Sequence, residues 1–142
     1  MPENRTAART ASAARTRALA VVGAVVAAAL IWVIAHSVLD IDLRTPDGPG
    51  STTTTALAFP AVPISVAVVS LLGWGLLALL ERRSSRGRAV WTGIAVAVLV
   101  LSLFAPLFAQ GLTAGNRVTL VLLHLTVGAI LIPAYRREGA RA

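Results

Sequence analysis

Read only for apolar and polar positions, the chain shows four long apolar runs, at about 18–38, 59–80, 89–110 and 118–135, separated by short polar stretches. None of the runs alternates with the period of two expected of a half-buried strand, and each is long enough for a helix of about 30 Å, the thickness of a bilayer's hydrocarbon core. The pattern predicts an all-α protein: an integral membrane bundle of four helices, arranged as two helical hairpins. The transmembrane domain is expected over 18–137, flanked by a disordered basic tail at 1–17 and a short tail at 138–142.

The breaks between runs have the chemistry of turns. Thr45-Pro46-Asp47-Gly48 is a turn sequence, and Pro49, Gly50 and the Ser/Thr run 51–55 prolong it. Pro60 and Pro63 belong at the start of the second helix, where a missing amide hydrogen costs little. Pro106 is expected to kink the third helix, its freed carbonyl being satisfied by Ser102 or a neighbour. Residues 111–116 form a tight connection into the fourth run. Small residues four apart, Gly23/Ala27, Ala24/Ala28 and Gly93/Ala97, mark expected close crossings. Another is expected at Gly73 and Gly75, filled by the Trp74 ring; Trp91 is expected at the interface as a belt residue.

Composition strengthens the membrane reading. Hydrophobic residues make up 56% of the 142 and charged residues 13%, with a mean hydropathy of +0.78; a soluble chain this short has no core large enough for that much apolar side chain. The net charge of +7 comes from arginine alone. Eleven of the 13 arginines fall in three groups, 5–17, 82–88 and 136–141, each abutting an apolar run. This distribution suits anchoring at one membrane face rather than a nucleic-acid surface. By the positive-inside rule it places both termini and the hinge 81–88 in the cytoplasm, with Arg44 and Arg117 outside, as expected of a multi-pass protein of a bacterial cytoplasmic membrane. Glu81 is expected to partner its arginine neighbours. A cleaved signal peptide is the main rival for the first run, but its 22 uncharged residues exceed an ordinary signal core.

Candidate chemistry is sparse. With no Cys, thiol redox and thiolate metal sites are excluded. No Asp, Glu or Arg lies mid-span, which argues against proton-coupled transport and voltage sensing. His124 is the ionisable residue well inside a span, His36 lying toward the outer end of the first run, and its expected role is an interhelical hydrogen bond, to Ser70, Ser102 or a carbonyl. The sharper alternative is a haem or metal ligand, for which His36 is the other histidine in the chain. Trp74, Ser70, Ser102 and His124 are the residues expected to line a pocket if there is one. Intramembrane proteolysis lacks a Gly-x-Ser-x-Gly nucleophile turn. Asp40, Asp42 and Asp47 do not have the spacing of a calcium loop. Arg117, a cation at the start of a helix, is expected to pair with Asp40 or Asp42. No catalytic, cofactor-binding or metal residues are assigned.

Several segments carry a resemblance: Arg17-Ala-Leu-Ala, Gly73-Trp-Gly-Leu-Leu-Ala-Leu-Leu-Glu-Arg-Arg83, Trp91-Thr92 and His124-Leu-x-x-Gly128-Ala-x-Leu-Ile-Pro133. Over about 18–137 the chain resembles a family of small bacterial membrane proteins of unknown function, DUF6069. The resemblance implies four membrane helices and no assigned activity. The functional expectation is a non-catalytic accessory or structural component, with the lipid bilayer, a membrane protein or a second copy as partner and no nucleic acid. The alternative is a binder or conduit for a small hydrophobic or weakly polar molecule.

Overall fold

A computed structural model describes residues 3–137, with side chains from residue 10 onward. The expected tail at 138–142 lies outside the described residues. Four helices carry the chain: α1 (Glu3–Val33), α2 (Ala61–Arg83), α3 (Gly87–Phe108) and α4 (Ala114–Arg137). All four are long and apolar enough to cross a membrane. They pack in a closed ring in chain order, α1 against α2 and α4, and α3 against α2 and α4. Short connections at 84–86 and 109–113 make α2/α3 and α3/α4 antiparallel neighbours.

Helix α1 differs from expectation at its start. The basic segment, expected to be a disordered tail through residue 17, is helical from Glu3 onward. Residues 3–22 hold no Gly or Pro and are rich in Ala and Arg, good helix formers, so a helix nucleated by the span has nothing to stop it. At the other end α1 loosens into a π-helical turn, Ile34–Val38, where Leu39 donates back to the Ile34 carbonyl at 3.0 Å. Asp40 then takes a positive φ of 53°, tolerable for Asp, and turns the chain over the end of the bundle.

That crossing, expected as a plain loop, folds into a two-stranded antiparallel ribbon. Strand β1 (Arg44–Pro46) pairs with β2 (Thr54–Ala56), Thr45 standing opposite Thr55. Main-chain bonds continue the ribbon on both sides, Leu57 to Leu43 at 2.8 Å and Asp47 to Thr53 at 3.1 Å. The Arg44 guanidinium holds the opposite strand through the Thr54 hydroxyl and carbonyl, at 2.8 and 2.7 Å.

The core is narrow and lies in two clusters along the bundle axis. Ala20, Ala24, Leu77, Trp91, Leu131 and Tyr135 form the one nearer the arginine-rich end. Ala28, Val62, Leu120 and Leu123 form the one under the ribbon. Ala24 and Ala28, both fully buried, make α1 flat enough for its neighbours to approach. The paired positions Gly23/Ala27 and Gly93/Ala97 behave otherwise: Gly23 and Gly93 look onto open space. The close approach of α3 to α4 is made instead at Gly128, where an added Cβ would lie 2.6 Å from a Leu99 methyl.

Candidate functional site

The polar side chains of the bundle sort into two groups, one at each end. At the basic end Glu81, on the last turn of α2, accepts from Arg17 of α1 at 3.2 Å and from Arg88 of α3 at 2.6 Å. Three helices meet in this clasp. Of the arginines in its own hinge, Glu81 takes Arg88, as expected, while Arg82 and Arg83 are exposed on the same turn and the second partner, Arg17, comes from α1. Arg17 is 8% exposed, so its charge is held against Glu81 largely out of water, where an ion pair is stronger than on a surface.

Directly under the clasp, Trp91 and Tyr135 pack against each other, ring centroids 5.3 Å apart. The Trp91 indole donates to the Gly73 carbonyl at 2.8 Å, and the Tyr135 hydroxyl to the Ser70 carbonyl at 3.1 Å. Both rings lie over Gly73, which would meet them at 3.8 and 3.9 Å if it carried a Cβ. Here two expectations change. Trp91 is 4% exposed, a core residue rather than a belt residue. The indole that fills the Gly73 notch is that of Trp91, not Trp74, which is half-buried at the edge of the same cluster.

At the ribbon end Arg117 is corrected as well. Its guanidinium reaches neither Asp40 nor Asp42 but the last carbonyls of α3, donating to Pro106 at 2.9 Å, to Ala109 at 3.1 Å and to Leu107. These carbonyls have no amide of their own helix to accept from, and a cation there matches the negative end of the helix dipole. The same cation thus stands unfavourably at the start of α4 and favourably at the end of α3. The aspartate-arginine pairing on this face is between Asp42 and Arg44, at 3.5 Å, with Asp42 71% exposed. Thr113 opens α4 by accepting from the Asn116 amide at 3.2 Å. The buried Asn116 side chain ties α4 to the ribbon through the Arg44 carbonyl at 3.0 Å. Trp32 does the same for α1, donating to Leu57 at 2.9 Å.

The remaining expected site residues do not converge. Ser70, fully buried, donates to the Val66 carbonyl at 2.6 Å, and Ser102 to Leu99 at 2.7 Å. Ser102 therefore does not serve the carbonyl freed by Pro106. His124 is bonded through Nδ1 to the Leu120 carbonyl at 2.7 Å; since a carbonyl only accepts, the proton sits on Nδ1. Its partner is its own helix, not a neighbouring one. His36 is exposed on the π-helical turn, its ring 4.6 Å from that of Trp32, which also meets Phe59 at 5.2 Å. The two histidines thus keep separate company. Among the described residues no group of three or more His, Asp or Glu is gathered.

Comparison with known proteins settles the affiliation. A family model described as a family of unknown function, DUF6069, matches residues 8–141. The chain belongs to that family. No curated protein matches it, and no solved structure does. With four spanning helices, this DUF6069 chain is a multi-pass membrane protein. The segments carrying the resemblance fall at packing contacts: Arg17 and Glu81 in the clasp, Gly73 and Trp91 beneath it, and Gly128 at the α3/α4 crossing.

Proposed function

We propose that this protein is a non-catalytic accessory or structural component of a bacterial cytoplasmic membrane, with the arginine-rich end of its bundle in the cytoplasm. It acts by packing, against a second copy or another membrane protein. The observation that carries this reading is where the interior polar groups go. Ser70, Ser102, His124, Trp91 and Tyr135 each end on a backbone carbonyl, the first three within their own helix. A catalytic or ligand site needs side chains converging on a shared point, whereas these satisfy the bundle itself.

The experiment is a mild-detergent isolation of the full chain with mass spectrometry of co-purifying proteins and small molecules. A stoichiometric protein partner or a defined homo-oligomer is the expected result. A monomer carrying a stoichiometric small molecule overturns the reading in favour of a binder or conduit. Orientation is checked separately with Ser51→Cys and Ser85→Cys, since the chain has no Cys of its own. In intact cells an impermeant maleimide is expected to label the first and not the second.

A further inference from the structure

The arginines of the basic end fall into two classes. Arg17 and Arg88 are held by Glu81, while Arg15, Arg82, Arg83, Arg86, Arg136 and Arg137 are exposed. Glu81 is the one described carboxylate at this end, and it is already shared by two cations. Three of the exposed arginines, 82, 83 and 86, lie within five residues at the turn between α2 and α3.

What lies beneath them differs from what lies beneath Arg136 and Arg137. On α2, residues 68, 72, 75, 79, 82 and 83 share one outward face by helical rotation. Leu72 is 68% exposed, Leu79 50% and Val68 50%, and Gly75 between them meets nothing within 4 Å of an added Cβ, leaving a notch in the face. On α3, Val90, one turn from Arg86, is 48% exposed. Beneath Arg136 and Arg137 the flank is different: past Leu125, no large apolar side chain of α4 is exposed among the described residues. Beneath Arg15 the face of α1 is apolar too, through Leu19, Val22 and Val26, but among the side chains described on α1 Arg15 is the one exposed arginine.

We propose that the basic end of the α2/α3 hairpin is a seat for an anionic phospholipid. Arg82, Arg83 and Arg86 hold the phosphodiester, and an acyl chain lies along Leu79, the Gly75 notch and Leu72. Guanidinium forks match phosphate oxygens in pairs, and the apolar face supplies what a free phosphate cannot use.

The test uses the full chain reconstituted in vesicles of phosphatidylglycerol and phosphatidylcholine in equal amounts with matched chains, then extracted in mild detergent for native mass spectrometry. Phosphatidylglycerol is expected to be retained over phosphatidylcholine by about tenfold or more. Arg82→Gln/Arg83→Gln/Arg86→Gln is expected to abolish the preference. Arg15→Gln/Arg136→Gln/Arg137→Gln, which removes the same charge, is expected to keep it within about twofold. Equal loss in both variants overturns the seat in favour of diffuse attraction, and equal retention of the two lipids overturns it outright. Soluble glycerol phosphate that displaces the lipid at equal concentration overturns the phospholipid as occupant. If the variants do not insert, phenylglyoxal footprinting of the unaltered chain decides. Protection of Arg82, Arg83 and Arg86 above Arg15, Arg136 and Arg137 in phosphatidylglycerol is expected, and uniform protection overturns the proposal.

Discussion

The two ends of the bundle are closed by different chemistry. At the basic end an ion cluster leads, one carboxylate from α2 drawing in a guanidinium from α1 and another from α3, with Trp91 and Tyr135 donating to α2 carbonyls beneath it. At the ribbon end the ties between elements run from side chain to backbone: Arg117 gathers two carbonyls of α3 and that of Ala109 just beyond it, Asn116 takes that of Arg44 and Trp32 that of Leu57. The first arrangement joins three helices through one carboxylate, so loss of Glu81 is expected to release both of its arginines together. The second spreads the same task over several separate bonds, and each can be lost alone. At the ribbon end the buried Oδ1 of Asn116 has no protein partner among the described residues.

The contrast is tested hardest at Gly87. A Cβ there would lie 2.3 Å from the Leu80 carbonyl oxygen and 2.7 Å from the Glu81 nitrogen, backbone atoms that cannot step aside. Gly87→Ala is expected to displace the turn that sets Arg88 against Glu81, costing about 3 kcal/mol or more in a detergent unfolding titration. A loss below about 1 kcal/mol would show that the clasp tolerates movement of its turn. Next in size is Glu81→Ala, which strands a nearly buried Arg17. About 2 kcal/mol is expected, below the value for a fully buried pair because the Glu81 side chain is 27% exposed. The double variant Arg17→Ala/Glu81→Ala should be less destabilised than the sum of the singles, whereas strict additivity would mean that the two do not act as a pair.

Much of this was legible in the sequence. The four spans, their order and their breaks follow from apolar run lengths and from Pro and Gly, because lipid forces helices and turns leave few options. The flat face of α1 was legible as Ala24/Ala28, but the same spacing at Gly23/Ala27 was not distinguishable, since rotation of a helix depends on what its neighbours offer. Tryptophan roles were misjudged for the same reason: Trp74 and Trp91 both stand near glycine or an interface in sequence, and only packing decides which ring Gly73 receives. The partners of Arg117 were illegible because they are backbone atoms, fixed by where α3 stops rather than by any residue type. The ribbon was hidden in a Thr-rich segment that carries turn signals and too few apolar residues to show alternation.

Arg117→Gln sharpens the other side of the comparison. It removes a cation from the end of the α3 dipole and leaves Pro106, Leu107 and Ala109 carbonyls to find water near the surface, at an expected cost of about 1–2 kcal/mol. Faster amide exchange should be confined to the α3/α4 connection and its flanks, with the Arg17–Glu81 contact unaffected. Loss of protection at the basic end as well would mean that the two closures are coupled.

The smallest expected effect comes from pH, at Asp47 in the ribbon. The hydroxyls of Thr53 and then Thr55 favour its ionised form, with Arg44 adding a weaker attraction, and together they hold the carboxyl below its usual range despite a small opposing desolvation. A carboxyl whose folded value is depressed stabilises the fold at pH above its unfolded value, and that contribution fades as pH falls through the folded one. Acidification from pH 6 to below 4 is therefore expected to loosen the ribbon turn, seen as faster exchange at Asp47, Thr53 and Thr55 and as an Asp47 carboxyl titrating low by carbon NMR. Because Asp47 is fully exposed, melting of the bundle should barely move. Asp47→Asn should remove this acid response at the turn while leaving the Asn116 and Trp32 ties in place. An acid response that persists in Asp47→Asn, or that spreads to α1 and α4, would mean that the ribbon end closes as one unit, like the clasp, and the contrast between the two ends would fall.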